Sequence, residues 1–258
     1  MKHLLTLLLT LCCTLPAHAE DAAIAALFAK AGVNGTLVIE SAAGDRRFVH
    51  DEARAQKPFT PASTFKILNT LIAVEHGAIT AEATIPWDGV AREMADWNRD
   101  QTLAGAFRVS CVWCYQLLAQ RVGAAAYPAH IREAGYGTLR EPFDVTQFWL
   151  DGSLTVSADQ QVAFLRRLVA RSLPYGANTY DTLRSVMLAE ETPGYRLFAK
   201  TGWAARTTPR IGWYVGYVET RDGTWLFALN IDTRSAGDLP LRRLLVLEAL
   251  RGKGLIPH

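Results

Sequence analysis

The sequence predicts an α+β fold, an α/β/α sandwich whose central antiparallel sheet is built from both ends of the chain around an inserted helical lobe. Three observations predict it: strand-like segments within residues 35–50, a helical middle, and three successive strand-like segments between 196 and 231 ahead of a closing helix. Strands at the two termini satisfy their backbone groups by pairing with one another, and the helices between them then form a second layer.

Gly35–Ser41 (GTLVIES) carries the aliphatic and β-branched residues of a strand. Residues 46–50 follow across Ala42-Ala43-Gly44-Asp45, a run with turn chemistry, and read as its hairpin partner. Pro61 opens a helix over 63–75 that Gly77 stops. Apolar residues at helical spacing predict further helices over 110–122, 159–171 and 179–189. Strands are expected over 196–201, 211–219 and 224–231, with Arg221-Asp222-Gly223 as a tight turn. A helix over 241–251 ends at Gly252 and Gly254. A site at the seam between the lobes is the natural expectation.

Residues 1–19 read as a secretory signal peptide: Lys2 and His3, an apolar run from Leu4 to Leu15, and the small-x-small site Ala17-His18-Ala19. The run is too short for a permanent bilayer anchor. Leu11 stands where a lipoprotein site at Cys12 needs a small residue. The expectation is therefore a single domain over 20–258, exported to the periplasm without stable membrane association. The chain has 258 residues, 50% of them hydrophobic, which is ample for one large core. A net charge of +2 with scattered arginines argues against a nucleic-acid partner. Monomer and homodimer both remain open.

Past the leader only Cys111 and Cys114 remain. A Cys-x-x-Cys pair suits a redox motif, half a zinc site or a small disulfide loop. The histidines at 50, 76, 130 and 258 are far from one another in sequence, so no metal site is expected. In an exported chain a local Cys111–Cys114 disulfide is favoured, with two unpaired buried thiols as the alternative.

Ser63-Thr64-Phe65-Lys66 places a hydroxyl and an amine one helical turn apart, on one face. A neutral lysine can take the serine proton, and the N-terminal turn of a helix favours developing negative charge. Alone, the tetrad also fits an exposed serine beside a solvated lysine. Downstream, Ser110-Cys111-Val112 opens the next helix, and Lys200-Thr201-Gly202 ends the first late strand, where lysine and hydroxyl can bind a carboxylate. Glycine there would allow close approach of a substrate. Lys200 alone could equally be an edge-strand lysine that discourages aggregation.

Ser-x-x-Lys, Ser-x-Val and Lys-Thr-Gly in this order resemble the class D (oxacillinase-type) serine β-lactamases. Trp87-Asp88-Gly89, Trp97-Asn98, Tyr115-Gln116, Tyr136-Gly137, the run from Phe148 to Ser153, and Leu239-Pro240-Leu241-Arg242 look like further landmarks. The resemblance implies the serine β-lactamase and penicillin-binding-protein-like fold, and hydrolysis of a small β-lactam through an acyl group on Ser63. It implies that Lys66 reacts with CO₂, supplied as bicarbonate, to give N6-carboxylysine as general base, with no bound cofactor. Phe65, Val112, Trp149 and Leu150 would wall that pocket, Trp149 donating its indole N–H. Ser110 would relay a proton, Lys200, Thr201 and Gly202 would line the site, and Arg242 would hold the substrate carboxylate. The N–H groups of Ser63 and Trp203 would form the oxyanion hole. A drug-sensor domain or a cell-wall transpeptidase or carboxypeptidase, acylated without rapid turnover, is the alternative. Thr138 departs from the family, which often has asparagine there.

Overall fold

A computed structural model describes residues 20–257, so the leader expected at 1–19 lies outside the described residues. The chain enters through helix α1 (Ala22–Ala31), which is N-capped by the Asp21 carboxylate and closed by Gly32 at φ 63°. Strands β1 (Gly35–Ser41) and β2 (Arg47–His50) form the expected hairpin, and α2 (Glu52–Gln56) follows.

The helical lobe begins with a 3₁₀ turn over Ala62–Phe65 and continues as α3 (Lys66–Glu75). The two-residue strands β3 (Thr84–Ile85) and β4 (Gln101–Thr102) pair beside α4 (Leu103–Arg108). Then come α5 (Val112–Val122), α6 (Tyr127–Ala134), the short pair β5 (Thr138–Leu139) and β6 (Leu154–Thr155), α7 (Ala158–Val169) and α8 (Ala177–Met187). A capping box on Ser157 and Gln160 starts α7. Thr138, at the departure from the family pattern, is exposed in β5 opposite Thr155.

The chain returns as β7 (Leu188–Glu191), β8 (Tyr195–Ala204), β9 (Arg210–Thr220) and β10 (Gly223–Thr233), and closes with α9 (Leu241–Gly252). The sheet runs β2-β1-β10-β9-β8-β7, every pairing antiparallel, so the N-terminal hairpin joins the C-terminal strands through β1 and β10. Leu37 and Ile39 face α1 and α9 in one core, while Val38 between them belongs to the core under the helical lobe. That alternation is the period of a strand buried on both faces.

Several boundaries differ from the sequence reading. The first helix of the lobe starts at Lys66, so Ser63 sits in the tighter turn before it. Ser110 lies outside α5, which begins at Val112. The helix expected over 179–189 stops at Met187, because Leu188–Glu191 pairs with β8 and forms the far edge of the sheet. β8 extends past Gly202 to Ala204. It is an interior strand where β7 covers Arg196–Phe198 and an open edge beyond that.

Candidate active site

Five segments bring the predicted side chains together: the Ser63 turn with α3, the turn that opens α5, the stretch around Trp149, β8 and α9. Pro61 turns the chain toward the sheet, and the Ala62 N–H donates to the Trp149 carbonyl at 3.0 Å. Ala62 has φ 49° and Ser110 has φ 56°, a left-handed conformation in which residues with side chains are strained by about 1–3 kcal/mol. Ala62 directly precedes Ser63, and Ser110 carries its own hydroxyl.

Lys66 is 1% exposed, and its Nζ donates to Ser63 Oγ at 3.2 Å. Burial lowers its pKa to about 7, because desolvation penalises the ammonium form. The amine also lies 4.9 Å from the centroid of the Tyr115 ring. Tyr115 in turn hydrogen-bonds Thr70 (2.8 Å), whose hydroxyl donates to the Lys66 carbonyl at 2.7 Å. Tyr115 was legible only as a landmark. Its place beside the amine follows from α3 packing on α5, which no local pattern encodes.

Phe65 and Trp149 are fully buried and stacked, with ring centroids 5.8 Å apart. The Trp149 Nε1 atom is buried without a hydrogen-bond partner. An orphaned indole N–H costs roughly 1–3 kcal/mol, so it is suited to an acceptor arriving in this pocket. Val112 and Leu150 are half-buried and contribute less to a dry wall than the two aromatics.

Across the cleft, Lys200 is 3% exposed, and its Nζ donates to the Ser110 hydroxyl, to Thr201 Oγ1 (3.2 Å) and to the Thr201 carbonyl (2.9 Å). Burial, then the charges of Lys66 and Arg242, push its pKa well down. A Cβ at Gly202 would stand 2.9 Å from the Pro61 carbonyl oxygen and 3.2 Å from Trp213 Cβ, so glycine lets β8 press against the Ser63 turn.

Arg242 Nε donates to the Leu239 carbonyl (2.8 Å) and Nη1 to the Gly202 carbonyl (2.7 Å), which fixes the guanidinium beside the open part of β8. Burial lowers its pKa to about 10. Arg243 is exposed and pairs with Glu190, as an ordinary surface arginine. Trp203 places its indole N–H on Thr233 Oγ1 at 3.0 Å. Cys111 and Cys114 form a disulfide with Cα atoms 5.5 Å apart, and Cys111 Sγ accepts the Cys114 N–H at 3.3 Å, capping α5 directly after Ser110.

These side chains converge where β8 meets the Ser63 turn and the turn before α5, on a fold of the penicillin-recognising class. The penicillin binding protein transpeptidase domain matches residues 27–246. The chain is 37% identical to β-lactamase OXA-48 of Klebsiella pneumoniae over 86% of this chain and 84% of that protein. It is 36% identical to β-lactamase OXA-2 of Salmonella typhimurium over 91% and 86%. Among solved structures, the class D β-lactamase YbXI from Nostoc superposes with a TM-score of 0.87 at 39% identity, covering 90% of this chain and 98% of that one. FUS-1 (OXA-85) of Fusobacterium nucleatum subsp. polymorphum gives 0.89 at 31%, covering 93% and 100%. The chain belongs to the class D β-lactamase family.

Proposed function

We propose that the protein hydrolyses the lactam amide of β-lactam antibiotics through an acyl-enzyme on Ser63, and so confers resistance. The observation that carries this reading is the buried Lys66 amine, 3.2 Å from Ser63 Oγ, in a pocket that also holds the unpartnered Trp149 N–H.

Ser63 Oγ attacks the lactam carbonyl and loses its proton toward position 66. The backbone N–H groups of Ser63 and Trp203 are assigned to the oxyanion, each such donor being worth about 2.7–4 kcal/mol in the transition state. Ser110, held by Lys200, delivers a proton to the departing nitrogen. Arg242 retains its Nη2 donors for the substrate carboxylate beside Thr201.

Depression of the Lys66 pKa keeps an uncharged fraction of the amine, which is the form that attacks CO₂. The carboxylated side chain would supply a general base for both acylation and deacylation. Phe65 and Trp149 keep this end of the pocket dry, and the Trp149 indole donates to the acceptor placed there. Residues 1–19 act as a cleaved leader and residues 20–258 as the periplasmic domain.

A steady-state assay with a chromogenic cephalosporin tests the reading. Many turnovers per protein support hydrolysis. One equivalent of colour followed by silence would instead indicate a drug-trapping sensor or a transpeptidase.

A further inference from the structure

His76 and His130 are 54 positions apart in sequence, yet their Nε2 atoms lie 2.8 Å from each other. His76 caps the C-terminal end of α3, and His130 lies in α6. The rings meet edge to face, with centroids 5.0 Å apart. On its other side His130 Nδ1 hydrogen-bonds the Tyr175 hydroxyl at 3.1 Å, and the two rings stack with centroids 5.6 Å apart. The catalytic reading uses none of these groups.

We propose that His76 and His130 form a two-histidine site for a borderline transition-metal ion, Cu(II) foremost and Zn(II) second, with solvent completing the shell. Metal–imidazole bonds of about 2.0–2.1 Å require nitrogens roughly 2.9 Å apart at a right angle and about 3.4 Å at the tetrahedral angle. The observed spacing meets the first value, which suits the tetragonal geometry of Cu(II). His76 is exposed at the helix end and can tilt to accept the second.

The Tyr175 contact is what a ligating histidine needs on its far nitrogen. A proton held at Nδ1 leaves the Nε2 lone pair for the metal. When the ion enters, the Nε2–H···Nε2 bond breaks and His76 moves its proton to Nδ1 through solvent, so both rings stay neutral with no net proton change. The site sits at the negative end of α3, which favours a cation there. Among the described residues no cluster of three or more ligating side chains exists, so the ion would be exchangeable. It would tie α3 to α6 about 15 Å along the helix from Lys66.

The test uses the full mature chain, titrated with CuCl₂, ZnCl₂ and MgCl₂ and followed by calorimetry, thermal melting and, for copper, electron paramagnetic resonance. Wild type should take up one equivalent of Cu(II), and less tightly Zn(II), with two-nitrogen hyperfine structure and a raised melting temperature. Mg(II) should do neither. His76→Ala and His130→Ala should each weaken copper at least tenfold and abolish the melting shift, while drug hydrolysis without metal is unchanged. Tyr175→Phe should weaken copper less than either. Undiminished copper binding in the His76→Ala/His130→Ala double variant, or no uptake by wild type, would overturn the assignment.

Discussion

Lys200 Nζ meets the Ser110 hydroxyl across the seam, joining β8 to the turn that precedes α5. The contact links residues from the two lobes and fixes the Ser110 hydroxyl, the proton donor of the proposed mechanism. Ser110→Ala and Lys200→Ala should each lower kcat/KM by about 10²–10⁴, the usual worth of a positioned proton-transfer group. Steady-state kinetics with a parallel melting curve checks this. A large fall in melting temperature with no kinetic loss would make the contact structural only.

Trp149→Phe removes the unpartnered indole N–H and keeps a ring against Phe65. A hydrogen bond to a charged group is worth about 1.5–3 kcal/mol, so turnover should fall roughly tenfold to a hundredfold. Saturating bicarbonate should recover part of the loss. Equal sensitivity of wild type and variant to bicarbonate would argue against the indole as donor.

Activity should rise with pH through about 7, because Lys66 must shed its proton before it can take up CO₂. Added bicarbonate should help most on the acidic side. The same shift bears on stability. A lysine depressed from its usual ~10.4 binds fewer protons folded than unfolded, so its burial penalty is complete below about pH 7 and is relieved as pH rises above it. The pH–rate profile with and without bicarbonate reads the first effect directly.

The long strands were the most legible part of the fold. β9 and β10 are each 11 residues of apolar, β-branched and aromatic sequence around a Gly223 turn, and both lie where expected. α1, α2, α4 and α6 correspond to no expected element. α1 carries a readable signal in its Asp21 cap and Gly32 stop. β7 has the composition Leu-Ala-Glu-Glu and exists only because β8 pairs with it. The approach of Lys66 to Ser63 is legible from the spacing of the tetrad, whereas the Lys200–Ser110 and Arg242–Gly202 contacts are not. Ser110 outside its helix, Tyr115 beside the amine and Gly202 against Pro61 are all products of tertiary packing.

Gly202→Ala should destabilise the protein by about 1–3 kcal/mol, since the added methyl meets the Pro61 carbonyl oxygen at 2.9 Å with Thr64 Cγ2 and Trp213 Cβ close behind. Denaturant unfolding measures it. Acylation should slow as well, because β8 and the turn are forced apart. An unchanged midpoint would mean that the strand relaxes freely.

The Cys111–Cys114 bridge caps α5 one residue after Ser110. Reduction should loosen that turn and lower hydrolysis more than it lowers the melting temperature. Equal rates with and without reductant would remove any catalytic claim for the bridge.

The central claim is an uncharged amine at position 66 that captures CO₂ next to Ser63. Carbon-13 NMR of the protein in labelled bicarbonate tests it most directly. A carbamate resonance that is absent in Lys66→Ala and grows as pH rises through about 7 is the result expected. Full drug turnover with no such resonance in wild type would contradict it.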